Sequence, residues 1–337
     1  MAKARALVCN DKQEFTIEDV VVPEPGALEV LVRTTYSGVS IGTEFAIIRR
    51  KLAWGNYPLA TGYQAAGVVE EVGSDISHLK AGDKVYYRAQ SKMEFAAGGD
   101  VSCVSGTHAS MAVVNADPEA SHGAGRLPDG VNEDDASLFV MPAVALGGVD
   151  MANPRMGDTV VVHGCGQIGL GAVAWCALRG CVVVAVDLQD NRLDAAKKLG
   201  ASVVINGTDA NVGEKVNEVS PGGADVVIEA TGLHQCIDPA IWLAKPYGKF
   251  VWMGNYGMEL FPFNFMSPHG RRLTMFFPCD DGLRPCRRAV MRNLASGSLR
   301  WSDVITHRVD ADDSPALFDR INKNEADDVI GSVIKWS

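Results

Sequence analysis

The residues best placed to do chemistry in this chain of 337 residues are Gly164-Cys165-Gly166-Gln167-Ile168-Gly169, a G-x-G-x-x-G run. Glycines at that spacing let a strand turn sharply into a helix. Gly164 permits the turn, Gly166 lets the backbone approach a pyrophosphate, and Gly169 lets helix and strand pack closely. Glycine is common, so the run gains its weight from what surrounds it. An apolar stretch at 159–163 precedes it, an apolar helix-like stretch at 168–179 follows, and Asp187 ends the next strand-like run about 20 residues on. A pyrophosphate would lie at the helix N-terminus, where unpaired N–H groups and the helix dipole favour an anion. Asp187 would accept hydrogen bonds from the adenosine ribose and repel a 2′-phosphate. The pattern predicts a nicotinamide dinucleotide site that takes NAD in preference to NADP. Arg192 lies near enough in sequence to contact the ribose or, in another setting, a phosphate.

The elements that must hold this site follow from hydrophobic patterning. From Asp158 onward, strand-like runs at 159–163, 182–187, 202–205, 225–229 and 249–253 alternate with helix-like runs at 168–179 and 192–199. A further helical run covers 284–296. Alternating β and α elements predict a doubly wound parallel sheet. The first 140 residues read differently. Short strand-like runs at 5–9, 30–34, 66–72, 84–88 and 110–114 are separated by turn residues, with a long loop at 89–107. The tail reads strand, helix, strand at 304–309, 316–322 and 332–335, and completes one of two domains. Two domains are also what the length predicts.

Composition excludes other classes. Hydrophobic residues make up 47% and charged residues 21%, the balance of a globular protein. A net charge of −10 argues against a nucleic-acid surface. The densest basic cluster, Arg284, Arg287 and Arg288, reads as solvated helix charge. No run reaches the ~18 apolar residues of a membrane span, and the N-terminus has no cleavable apolar core, so no membrane partner and a cytoplasmic location are expected. The eight cysteines are scattered, with no C-x-x-C pair, and read as small buried residues in a reducing compartment.

Several stretches occur in a telling order: Ser37-Gly38-Val39-Ser40, Gly62-Tyr63-Gln64 with Gly67-Val68-Val69 and Val72-Gly73, Gly82-Asp83-Lys84-Val85, the Gly164 run, Glu229-Ala230-Thr231-Gly232, and Ile305-Thr306-His307-Arg308. Together they resemble the medium-chain dehydrogenase/reductase superfamily of alcohol and polyol dehydrogenases, along essentially the whole chain. The resemblance implies an α/β protein with a GroES-like catalytic domain at 1–140, completed by 301–337, and a Rossmann NAD-binding domain at 141–300. It implies an active site in the cleft between them, cofactor contacts that add Gln167, Ile168, Thr231 and Gly254, and a homodimer or homotetramer.

The departures from that family pattern bear on mechanism. Zinc members carry Cys where this chain has Ser40, Gly-His-Glu where it has Gly62-Tyr63-Gln64, and Cys or Glu where it has Met141. Hydroxyl, phenol, amide and thioether are poor zinc ligands. The stretch matching the structural-zinc lobe, 88–106, holds only Cys103. No metal is therefore expected, and another group must handle the substrate proton. Tyr63, Glu44, Ser40 and Thr43 are the catalytic candidates. Gln64, His108, Met141 and His269 are candidates for substrate contact. Plainer roles stand beside these: Tyr63 as cavity filler, Glu44 as the partner of an arginine, His108 as a satisfied strand histidine. Trp54, Tyr57, Phe95 and Trp252 either line a cleft for a ring-shaped substrate or belong to the core. The 37–44 run is similar to a metal-free branch that includes bacteriochlorophyllide hydroxyethyl dehydrogenase and cyclitol or sugar dehydrogenases. The expected function is a zinc-independent NAD-dependent dehydrogenase of a small-molecule secondary alcohol. Its alternatives are an NADPH-dependent quinone or enoyl reductase, a lyase or epimerase using bound NAD transiently, and an inactive cofactor-sensing partner.

Overall fold

The computed structural model describes every residue except 89–91, 209–210 and 282–283, so the start of the loop read at 89–107 lies outside the described residues. The chain divides into two compact units, residues 1–139 with 305–337, and residues 140–304.

The second unit is built on six parallel strands in the order Val203–Asn206, Val182–Asp187, Thr159–His163, Ala224–Glu229, Ala244–Trp252 and Thr274–Phe276. The central strands are buried on both faces: Val160, Val161, Val162, Val183, Val184, Ala185, Val227 and Ile228 are all fully inaccessible. That is why they read as unbroken apolar runs rather than alternating ones. Strand order reverses between Thr159–His163 and Ala224–Glu229, which creates a crevice at their carboxyl ends. Helix Gln167–Leu178 is apolar nearly all round and packs beside Val140–Ala152, where the Trp175 indole N–H donates to the Pro142 carbonyl at 2.7 Å. Helix Val140–Ala152 escapes the sequence reading because Pro142, Gly147 and Gly148 look like helix breakers.

The first unit holds two sheets. One runs Glu94–Phe95, Phe15–Val22, Ala2–Cys9, Leu59–Ala60 and Ser102–Cys103. Strand Phe15–Val22 is absent from the sequence reading because Glu18-Asp19 breaks its alternation, although Phe15, Val20 and Val22 face inward. The second sheet centres on Glu29–Val39, longer than the 30–34 run expected. Its far half is paired by the tail strand Gly331–Lys335, with Gly38 opposite Val333. A Cβ on Gly38 would overlap the Ser137 carbonyl, so only glycine fits there. Helix Ser314–Asn322 sets Phe318 against Phe15 and Phe45, with ring centroids 5.5 and 5.2 Å away.

Two residue-level expectations need correction. Arg287 is not solvated: it is buried on helix Arg284–Ala295, and its Nε lies 3.0 Å from the equally buried Asp281 carboxylate. Cys279 is exposed, against the general reading of buried cysteines. Among the described residues no helix is long and apolar enough to cross a membrane. Removing the cation from the Arg287–Asp281 pair would take an ionic partner from a buried carboxylate. Arg287→Ala should therefore cost about 3–5 kcal/mol in chemical denaturation, whereas the flanking Arg288→Ala should change stability by under about 0.5 kcal/mol.

Candidate functional site

In the second unit the glycine run bends as its residue types require. Gly164 has φ +95° and donates its N–H to the Val186 carbonyl at 2.8 Å. A Cβ on Gly169 would overlap the Gly164 carbonyl oxygen, while one on Gly166 would meet nothing within 4 Å. Gly166 is the N-cap of Gln167–Leu178 and supplies no side-chain cap, at a helix end whose dipole favours an anion. Gln167 is buried and Ile168 half-buried at that helix start. Asp187 locks the loop to the neighbouring strand end. Its Oδ2 accepts Cys165 N–H at 2.7 Å, and its Oδ1 accepts Leu188 and Gln189 N–H at 2.8 and 3.0 Å. The Arg192 guanidinium stands 3.8 Å from Oδ2.

At the strand reversal, fully buried Glu229 accepts from the Thr231 N–H and hydroxyl and from the Tyr256 hydroxyl. Burial, then the Glu229 charge, pushes the Tyr256 phenol far above its usual value. Gly254 donates to the Glu229 carbonyl at 3.0 Å, and a Cβ there would meet Gly232 N at 2.6 Å. Among the described residues the buried His163 Nδ1 has no hydrogen-bond partner; it lies 3.6 Å from Glu229 Oε1, and Cys236 completes a trio of potential ligand atoms within 4.8 Å of one another. Sequence reading missed His163, Tyr256 and Cys236. The one signal available was His163's place as last residue of the strand that enters the glycine turn.

In the first unit, strand Glu29–Val39 delivers Ser40 to a one-turn helix, Thr43–Ile48, whose first turn carries Glu44. Glu44 is completely buried. Its Oε1 accepts Ser40 N–H at 2.7 Å; its Oε2 accepts the Thr61 hydroxyl at 3.0 Å and pairs with His108 Nε2 at 2.8 Å. The partner of Glu44 is thus a histidine, not an arginine. His108 is satisfied, but by side chains: its Nδ1 lies 2.8 Å from Ser37 Oγ, which also accepts the Trp336 indole N–H at 2.8 Å. Gly62, at φ +93°, leaves room for that ring, since a Cβ there would sit 2.7 Å from His108 Cδ2. Next in the chain, Tyr63 donates its hydroxyl to Ser40 Oγ at 2.6 Å, with the Thr43 hydroxyl also in reach. Burial pushes the Tyr63 phenol up to about 12, against the lowering effect of the Ser40 hydrogen bond. The Arg88 guanidinium lies over its ring, 5.3 Å from the centroid, and meets His122 Nε2 at 3.2 Å.

The structure therefore gathers Ser40, Thr43, Glu44, Tyr63 and His108 into one polar cluster, joined by Thr61, Ser37, Trp336 and Arg88, which sequence reading did not single out. Gln64 is buried beside it, and its backbone carbonyl accepts Gly38 N–H at 3.0 Å. Met141 is buried in the second unit's helix Val140–Ala152. His269 is exposed on helix Met266–Arg271, stacked on Phe265 at a surface cavity of about 660 Å³. Of the aromatic candidates, Trp54 is exposed and Tyr57 donates to the Ile48 carbonyl at 2.5 Å. Phe95 is half-buried on a sheet edge, and Trp252 packs with Tyr256, Phe263 and Phe277.

Comparison with known proteins gives this arrangement a family. Residues 26–121 match the alcohol dehydrogenase GroES-like domain, and residues 168–295 match the zinc-binding dehydrogenase domain. An alcohol dehydrogenase of Cupriavidus necator is 28% identical over 99% of both chains. D-xylulose reductase A of Aspergillus oryzae is 30% identical over 78% of this chain and 77% of its own. A putative zinc-binding dehydrogenase from Sinorhizobium meliloti, bound to NADP, superposes with a TM-score of 0.86 at 21% identity, covering 99% of this chain and all of that one. The chain belongs to the medium-chain dehydrogenase/reductase superfamily.

The donor set at Ser40 and Tyr63 does not fit a zinc ion. A serine hydroxyl and a phenol engage each other at 2.6 Å, neither carries charge, and the adjacent carboxylate is already taken by three donors. The two inner glycines separate stability from binding. Gly169→Ala should lower the melting temperature by several degrees, because the loop must open to admit the methyl group. Gly166→Ala should melt close to the unmodified protein yet bind dinucleotide about 10-fold more weakly by isothermal titration.

Proposed function

We propose that this protein is a zinc-independent, NAD-dependent oxidoreductase acting on CH–OH. It would move a hydride between NAD and a secondary alcohol on a sugar, a cyclitol or another ring-bearing substrate. The observation that carries this reading is the Tyr63–Ser40 hydroxyl pair, at positions that the family resemblance matches to zinc ligands. The alcohol dehydrogenase and D-xylulose reductase relatives support the CH–OH class.

The uncapped N-terminus of Gln167–Leu178 and the open face of Gly166 would hold the pyrophosphate, with Thr231 and Gly254 at the strand reversal bordering the same crevice. Asp187 supports NAD. Its carboxylate is fixed by backbone donors at the end of strand Val182–Asp187, where a ribose 2′-phosphate would meet its charge. Bound cofactor would supply the hydride chemistry, NAD accepting it in alcohol oxidation and NADH giving it in carbonyl reduction. This chain must manage the proton on the substrate oxygen. With its phenol pushed up to about 12, Tyr63 is protonated at neutral pH. It can therefore give a proton from Oη to an alkoxide as a carbonyl is reduced, with Ser40 Oγ fixing the hydroxyl. Alcohol oxidation needs the reverse, a Tyr63 that has lost its proton, a form favoured first by the hydrogen bond to Ser40, then by Thr43 and by the Arg88 cation over the ring.

Two outcomes are expected. Fluorescence titration should show NAD(H) binding at least about 10-fold tighter than NADP(H), with the gap narrowed in Asp187→Ser; equal affinities would sink the assignment. On a panel of polyols and ketones, oxidation should climb with rising alkaline pH while reduction holds at neutral pH and declines as Tyr63 ionises. Both should persist in chelator. Tyr63→Phe should cost about 10²-fold in kcat with cofactor affinity unchanged. About one bound zinc per chain, with activity lost on its removal, would overturn the metal-free reading.

A further inference from the structure

We propose that His108 is a positioning residue, a neutral tautomer with its proton on Nε2, which holds the buried Glu44 carboxylate in place against Ser40 and, through Ser40, Tyr63. The inference rests on the reading of Tyr63 and Ser40 as the proton-handling pair, and extends it inward by one layer.

The assignment follows from counting donors. An indole N–H only donates, so the bond from Trp336 to Ser37 Oγ, 2.8 Å long, has one direction. Ser37 Oγ is thereby an acceptor with its own hydrogen to place, and His108 Nδ1 lies 2.8 Å away. A neutral ring accepts at Nδ1 and donates at Nε2, and Glu44 Oε2 is 2.8 Å from Nε2. An ionised carboxylate only accepts, which matches its other partners, Ser40 N–H at 2.7 Å and the Thr61 hydroxyl at 3.0 Å. Every hydrogen along Trp336, Ser37, His108 and Glu44 then has one acceptor. A doubly protonated ring would instead aim Nδ1–H at Ser37 Oγ, giving that oxygen two incoming donors and leaving its own hydrogen without a place in the chain.

Packing holds the arrangement. His108 and Glu44 are fully buried, Phe318 meets the imidazole edge-on at 5.4 Å, and Gly62 makes room for the ring. The consequence reaches the site through one bond. Glu44 Oε1 holds Ser40 N–H, and Ser40 Oγ receives the Tyr63 hydroxyl. The charge on Glu44 also counts among the causes that keep Tyr63 protonated. Loosening His108 should therefore be felt at Tyr63, which it does not touch.

The test has two arms on the full-length protein. In the first, imidazole nitrogens are 15N-labelled and His108 is assigned by the signal lost in His108→Gln. The expected spectrum shows an unprotonated Nδ1 and a protonated Nε2, with Nδ1 alone moving in Ser37→Ala. A proton on Nδ1, or on both nitrogens, overturns the proposal. In the second, Tyr63 carries a 13C label at its phenol carbon, assigned with Tyr63→Phe. His108→Phe keeps a ring against Phe318 but removes both hydrogen bonds; His108→Gln keeps a donor toward Glu44. The phenylalanine variant should shift the Tyr63 signal and lower kcat about 10-fold with KM within about two-fold, and the glutamine variant should restore both. If glutamine is as damaging as phenylalanine, or neither moves Tyr63, His108 is packing and the proposal fails. Should the phenylalanine variant not fold, the tautomer and the glutamine variant's Tyr63 signal decide. Normal turnover in Tyr63→Phe would remove the reaction reading and leave the tautomer to be judged by the first arm.

Discussion

A carboxylate with no access to water has to be surrounded by donors, and much of the first unit is arranged to do that for Glu44. An unpaired ion in such a place costs several kcal/mol even after relaxation. The Ser40 N–H is a local donor, but Thr61 and His108 lie 17 and 64 positions away, so the segments that carry them are tied to the Glu44 helix. The tail belongs to this unit for the same reason. Phe318 closes over the imidazole, and Trp336 supplies the donor that satisfies Ser37. Gly38 and Gly62 then admit backbone and ring where any side chain would collide.

Asp187 does similar work in the second unit with different logistics. Its partners Cys165, Leu188 and Gln189 are backbone N–H groups, two of them on adjacent residues. Backbone donors need no particular side chains, so spacing along the chain is enough to forecast the site. Hence the glycine turn, the strands Thr159–His163 and Val182–Asp187, and the acid at the second strand's end are all legible from residue order. The roles forecast for Gly164 and Gly169 have visible steric causes, a positive φ and an overlap with a carbonyl oxygen.

The Glu44–His108 pair shows where such reading stops. The two residues are 64 positions apart, joined only by the way strand Glu29–Val39, the Gly62 turn and the 107–109 segment converge. Each residue was visible as a candidate; that they were each other's partner was not, because no local pattern encodes it. Arg287 misled for the same reason, since three arginines in five residues look like solvent-facing charge until the buried Asp281 is seen opposite one of them. Strand Phe15–Val22 was lost differently, to a charged pair in the middle of an otherwise half-buried alternation.

On the tautomer proposed for His108, the partners of Glu44 are all neutral, which is consistent with the uncharged hydroxyl pair at Ser40 and Tyr63. A divalent cation in this pocket would make a nearby carboxylate favourable by direct attraction. Two hydroxyls carry no charge, so the Glu44 charge must be absorbed by dipoles alone: an amide N–H, a hydroxyl and, on the tautomer argued above, a neutral imidazole N–H. Arg88, the cation that lies over this site, stands on the Tyr63 ring rather than on Glu44. Negative charge below the phenol and positive charge across its face therefore act in opposite senses on one proton. With burial added to the Glu44 side, the balance leaves that proton on the oxygen. On the function proposed above, a tyrosine kept protonated in this way would donate to an alkoxide more readily than take a proton from an alcohol.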